Sequence, residues 1–122
     1  MGCQIGKVQG FARVKGDASM PSSYTTSSDA VDTKNNCTSG PVEVRRGAKG
    51  VYFVRFFGLG TKLALAISNS DGFGVQSSAT DNIVSVNKIT GGADTGAFRV
   101  EVEDINSSGS DPEDNWFTIM TF

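Results

Sequence analysis

Histidine is absent from this chain. That removes the commonest general base and the commonest imidazole ligand together, and it leaves zinc and copper chemistry without its usual donor. Cysteine is scarce: Cys3 and Cys37 are the two present, too few and too widely spaced for a zinc cluster. They are either a disulfide or two free thiols. A bridge would tie the N-terminal segment to the loop near Cys37 and would suit an oxidising environment. Long apolar runs are missing as well, since no stretch approaches the roughly 18 residues that a membrane-spanning helix requires. Nor is there an excess of basic charge: 11 Lys and Arg against 13 Asp and Glu leave a formal net charge of -2. A nucleic-acid partner ordinarily selects a net basic domain. Neither nucleic acid nor a membrane is therefore expected as a partner, and no cofactor is expected.

The 122 residues suffice for a single domain, which at this size buries roughly two thirds of its unfolded surface without metals or several disulfides. Charge is unevenly spread along it. Arg45, Arg46, Lys49, Arg55 and Lys62 fall in one central stretch, whereas Glu101, Glu103, Asp104, Asp111, Glu113 and Asp114 cluster near the end. These groups are either two solvated faces or a pair of complementary patches that set the register of subunit assembly. Residues 1–7 read as an N-terminal extension. They lack the charged and apolar regions of a signal peptide, which fits a protein not exported by the usual signal. The opening Met1-Gly2-Cys3 is followed by Gly6 where an N-myristoylation pattern requires Ser or Thr. The Asn-x-Ser/Thr sequences at Asn36 and Asn106 matter only in a eukaryotic secretory pathway.

What the chain has in quantity is alternation. From Gly50 to Phe122 short runs of alternating apolar and polar residues are separated by loops of Gly, Ser, Asn and Asp. Strands present side chains to opposite faces with period two, and turns recruit those four residues. The pattern predicts an all-β fold: one antiparallel β-sandwich, jelly-roll or immunoglobulin-like, of about seven to eight strands. Strands are expected over 8–14 with a bulge near Gly10, over 42–44 and 51–57 as a hairpin, and over 62–68, 83–89, 97–103 and 116–122. Asn69-Ser70-Asp71-Gly72 reads as a turn. Residues 16–40, rich in Ser, Thr, Asp and Asn, form a long peripheral loop that is either a functional extension or the cover of one weak edge strand over 24–28.

The phases of these runs differ in an informative way. Tyr52, Val54 and Phe56 share one face, while Val51, Phe53, Arg55 and Phe57 share the other, which is apolar apart from one arginine. A strand with one wet face does not look like that. Leu63, Leu65 and Ile67 alternate with Ala64, Ala66 and Ser68, whose small side chains imply close approach by another sheet or subunit. Phe98, Val100 and Val102 point inward and Arg99, Glu101 and Glu103 outward. In the last run Phe117 and Ile119 match the core phase, and Trp116, Thr118, Met120 and Phe122 take the other.

Candidate chemistry is thin. Asp111-Pro112-Glu113-Asp114 is the densest carboxylate group, but it lacks the Asp-x-Asp-x-Asp-Gly spacing of a calcium loop and reads as a turn fixed by Pro112. Asp71, Asp81 and Asp94 sit where turns recruit Asp. Glu101 and Glu103 project from one side of one strand, yet Arg99 shares that side, so a solvated face outweighs a glycosidase pair. No serine has a histidine partner, and neither a Gly-x-Ser-x-Gly elbow nor a Ser-x-x-Lys motif is present. The chain reads as a non-enzyme with no catalytic, metal or cofactor residues. The sharper feature is the apolar second phase, Phe53, Phe57, Trp116, Met120 and Phe122 with Arg55 among them. These residues are the interface candidates, because interface cores favour Trp, Met and Phe. A second sheet layer covering both faces, or a sugar platform on Trp116 and Tyr52, are the other readings.

The runs Gly50-Val51-Tyr52-Phe53-Val54-Arg55-Phe56, Val84-Ser85-Val86, Phe98-Arg99-Val100-Glu101-Val102 and Asp114-Asn115-Trp116-Phe117-Thr118-Ile119 resemble a group of small β modules. Such modules end many actinobacterial surface or collagen-like proteins and also occur in phage fibre and head-decoration proteins. The resemblance spans Gly10 to Phe122 and rests on strand spacing. The sequence departs from the secreted members in having neither a signal peptide nor a Gly-X-Y stalk. The resemblance therefore implies a bacteriophage virion protein, a capsid decoration or tail-associated subunit that assembles with its own copies and a major capsid or tail protein. A cell-surface or carbohydrate-binding module is the alternative.

Overall fold

The computed structural model describes residues 3–4, 6–61, 63–68, 82–106 and 109–122, and among them holds nine strands, one or two more than expected, because those at Val31–Asn36 and Gly109–Pro112 arise outside the alternating runs. They are β1 (Gly10–Val14), β2 (Val31–Asn36), β3 (Val42–Ala48), β4 (Val51–Phe56), β5 (Ala64–Ser68), β6 (Asn82–Lys88), β7 (Phe98–Asn106), β8 (Gly109–Pro112) and β9 (Phe117–Thr121). All pairings are antiparallel. One sheet has four strands in the order β2-β1-β9-β5. The other has five, β3-β4-β7-β6 with β8 also on β7. β7 is long enough to be served twice along one edge: its residues 98–101 pair with β4 and 103–106 with β8.

The two sheets pack face to face. Ala12, Val14, Phe117 and Ile119 of the four-stranded sheet meet Val44, Tyr52, Val54, Phe56, Phe98, Val100 and Val102 of the other, and all are buried. Tyr52 and Phe117 bridge the layers with ring centroids 5.4 Å apart. The core thins toward β5 and β6, where Ala64, Ala66, Val84 and Val86 are only half-buried. There the small residues of β5 face the opposite sheet, and Leu63, Leu65 and Ile67 point outward.

The segment 16–40 departs from the expected loop. Its strand is β2, at Val31–Asn36 rather than over 24–28, and it forms the edge of the four-stranded sheet. Before it, Thr25 exchanges backbone bonds with Val44 at 2.9 and 3.0 Å, and Arg46 N donates to Pro21 O at 2.9 Å. One segment thus supplies an edge to one sheet and blunts the free edge of β3 in the other, which keeps unpaired backbone groups from recruiting another chain. The irregularity in β1 falls between Arg13 and Val14 opposite β2, not near Gly10. The Asp/Ser/Gly loop before the last strand contains β8, and Pro112 ends it on an edge, where its missing N–H costs no ladder bond. The turn expected at Asn69-Ser70-Asp71-Gly72 lies outside the described residues. Cys3 and Cys37 are joined by a disulfide with Cα atoms 5.2 Å apart, which fixes the N-terminal segment beside the end of β2.

Two glycines are dictated by close approach. Gly50, in the β3–β4 turn, has φ 71°, and a Cβ there would stand 2.5 Å from Val102 O. A Cβ on Gly16 would stand 2.0 Å from the backbone oxygen of Asn115, and main chain cannot move aside as a side chain can. Gly16→Ala is expected to destabilise the fold by about 2–3 kcal/mol in urea unfolding. Gly91→Ala, whose Cβ meets nothing within 4 Å, is expected to stay within about 0.5 kcal/mol.

Candidate interaction surface

The six interface candidates fall on opposite outer faces of the sandwich. Phe53, Arg55 and Phe57 belong to β4 and its end, on the five-stranded sheet; Trp116, Met120 and Phe122 belong to β9 and its flanks, on the four-stranded sheet. They are not one surface.

On the five-stranded side the aromatic residues are already engaged. The Arg45 guanidinium stands 4.2 Å from the Phe53 ring centroid and 5.6 Å from that of Tyr24. Arg55 stands 3.9 Å from Tyr24 and 4.9 Å from Phe57. Rings and cations so alternate in a ladder, Phe53, Arg45, Tyr24, Arg55, Phe57, in which each cation meets the negative face of a ring. Asp94, in the β6–β7 connection, anchors it: Arg45 donates through Nε at 3.0 Å and Nη2 at 2.5 Å, and the Tyr24 hydroxyl donates at 2.6 Å. The Arg45 bond holds the Asp94 carboxyl below the usual carboxylate range. Burial, reinforced by Asp94, pushes the Tyr24 hydroxyl up to about 12. Arg55 also pairs with Glu43 at 3.4 Å, and Arg99 with Glu101 at 2.7 Å.

The four-stranded side is different. The register places Met120 between Phe11 on β1 and Leu65 on β5, and Thr118 between Arg13 and Ile67. Phe122 N donates to Leu63 O at 3.1 Å, so Leu63 and Phe122 extend the same end of the patch. Leu63 is 70% exposed, Ile67 51%, Leu65 49% and Phe122 40%; Phe11 and Met120 are half-buried. Among the described residues the charge on this face lies toward β1 and β2, where Asp32 accepts from Arg13 Nε at 2.8 Å and lies 3.7 Å from Lys15 Nζ. Those two cations stand 5.8 and 5.5 Å from the Trp116 ring centroid.

Phe11, Leu63, Leu65 and Ile67 were not among the sequence candidates. Phe11 is legible in hindsight, because Ala12 and Val14 set the inward phase and Phe11 falls in the other. In β5 the small Ala64 and Ala66 face the other sheet, as their size implies, which leaves Leu63, Leu65 and Ile67 outward.

One ion pair, Arg46 with Asp114, joins the basic stretch to the acidic one. Asp114 accepts from Arg46 Nε at 3.0 Å and Nη2 at 2.7 Å, from Gly50 N at 2.9 Å and from the Tyr52 hydroxyl at 2.5 Å. Asn82 Nδ2 donates to Glu113 Oε2 at 2.9 Å. Arg46, Arg55 and Asp114 therefore have carboxylate or cation partners within the chain. Lys62, Asp71 and Asp81 lie outside the described residues. Tyr52 has no exposed surface and cannot stack on a sugar. Asn36 is buried, donating to Phe57 O at 2.8 Å and accepting from Thr38, so it offers no amide for glycosylation.

Burial opposes the charge on Asp114, but Arg46, Gly50 and Tyr52 outweigh it and keep its pKa below the usual value. Arg13 likewise depresses Asp32, first through its hydrogen bond. A depressed folded pKa contributes stability that is present above the unfolded aspartate value, about 3.9, and is lost as pH falls through the folded value. Stability is thus expected to fall below about pH 4. Asp114→Asn should cost about 2–4 kcal/mol at pH 7 and show a shallower acid decline in urea titrations; a decline as steep as that of the parent chain would contradict this role. Compared with protein-family models, curated proteins and solved structures, the chain matches none.

Proposed function

We propose that this chain is a non-enzymatic structural subunit that works by protein–protein assembly through the outer face of its four-stranded sheet. The observation that carries this reading is the row Phe11, Met120, Leu65 with Leu63, Ile67 and Phe122 around it, four of the six at least 40% exposed. Apolar side chains gathered on one sheet face are favourable only when a partner removes them from water, at roughly 25 cal/mol per Å². The composition suits an interface centre, and the Arg13, Asp32 and Lys15 group suits its polar rim. The first occupant is another copy of this chain, since an almost uncharged apolar face needs no complementary charge to match itself.

The setting is a bacteriophage virion, with a capsid-decoration or tail-associated role and a major capsid or tail protein as further partner. It rests on the resemblance of the strand runs to phage modules. A carbohydrate-binding surface module is less well supported, because Tyr52 is buried and Trp116 carries Arg13 and Lys15 beside its ring. Within the sandwich class a jelly-roll reading is favoured over an immunoglobulin-like one. The first strand pairs with the last, and the chain changes sheet at β2–β3, β4–β5, β5–β6 and β8–β9.

Sedimentation velocity tests the assembly. The parent chain is expected to form a small oligomer, and Leu65→Asp a folded monomer that loses only the thermal stability contributed by assembly, because the substituted side chain is half-exposed. A parent chain that stays monomeric at every concentration would sink the proposal.

A further inference from the structure

A cleft of about 540 Å³ is lined by Leu59, Gly60, Lys88, Thr90 and Gly96, a volume within the range of small-molecule sites, roughly 300–1,000 Å³. It lies between the turn after β4 and the connection from β6 to β7. None of its lining residues belongs to the apolar row. Leu59 packs against the core and presents an apolar wall. Gly60 and Gly96 leave bare backbone, and a Cβ at either would meet nothing within 4 Å.

Lys88 sets the charge of this cleft. Its ammonium donates to Gly96 O at 2.9 Å and stands 4.5 Å from the Phe98 ring centroid. An ammonium has three donors, and Gly96 takes one. Among the described residues Lys7, Lys34, Lys49 and Lys88 have no carboxylate within 4.0 Å, and of these four Lys88 alone is half-buried. Burial also lowers its pKa, so the charged form is held where solvation is reduced and no anion offsets it. A cation half-removed from water at an apolar cleft favours a ligand that brings its own negative charge.

We infer that the cleft binds a small amphiphilic monoanion, with its apolar body against Leu59 and the glycine backbone and its carboxylate on the Lys88 ammonium. The test is titration of the ¹⁵N-labelled chain with octanoate, with 1-octanol as the uncharged counterpart. Saturable one-site binding is expected, with amide shifts at Gly60 and Gly96. Lys88→Met should weaken it about tenfold or more, Lys88→Arg should retain it, and Leu65→Asp should leave it unchanged. Equal affinity for 1-octanol, equal affinity in Lys88→Met, or shifts confined to the Leu65 and Met120 face would overturn the assignment. Should Lys88→Met fail to fold, the parent chain decides: shifts at Gly60 and Gly96 support the site and their absence overturns it.

Discussion

The carboxylate of Asp114 sits where the chain leaves the five-stranded sheet to form the last strand of the other. The Arg46 guanidinium, the Gly50 N–H and the Tyr52 hydroxyl all donate to it. Tyr52 spans the core, with its ring against Phe117 and its hydroxyl on this anion, which is why burial pushes that hydroxyl's pKa up. The next residue continues the network: Asn115 accepts from Trp116 N at 2.8 Å and donates to Asn82, while Gly16 backs directly onto its carbonyl. A buried polar group without partners would be costly, and a fully satisfied cluster fixes one arrangement of its neighbours. Here it fixes the start of β9, and with it the phase that turns Phe117 and Ile119 inward and Trp116, Met120 and Phe122 outward.

The two outer faces solve the same problem by different chemistry. On the five-stranded sheet the strand phase leaves Phe53 and Phe57 outward, and arginines from β3 and β4 with Tyr24 from the long segment cover them in a cation–π ladder held by Asp94. The chain itself covers the Phe53 end of that face, while Phe57 stays 40% and Ile83 50% exposed. On the four-stranded sheet nothing comparable lies over Met120, Leu65 or Ile67 among the described residues, and the charged groups stand to one side. A partner has something to add only where the chain has not already satisfied its own apolar surface.

Much of the fold was legible because its strands are half-buried and their alternation survives in the sequence. β4, β6 and β9 lie within one residue of their expected spans, and β7 starts one residue late and runs three residues beyond its expected end. β2 was not legible: Val-Asp-Thr-Lys-Asn-Asn carries one apolar side chain, and the strand exists through backbone pairing with β1. β8 is exposed along its whole length and hidden by turn residues for the same reason. The candidate surface was read in half. The second phase of β9 is visible as Trp116, Met120 and Phe122, but which face Phe53 shares with it depends on sheet membership, a non-local property. In β5 the small phase reads as the side another sheet approaches, but the consequence for Leu63, Leu65 and Ile67, which then face outward, is missing from the sequence candidates.

The central claim is that the face around Met120 is where copies of this chain meet. Methyl spectra recorded through a dilution series test it without altering a residue. Met120, Leu65 and Ile67 are expected to shift with concentration, while the buried Val54 and Val100 and the outward Ile83 of the other sheet remain fixed. Concentration-independent methyls at Met120, or shifts that gather at Ile83 instead, would contradict it.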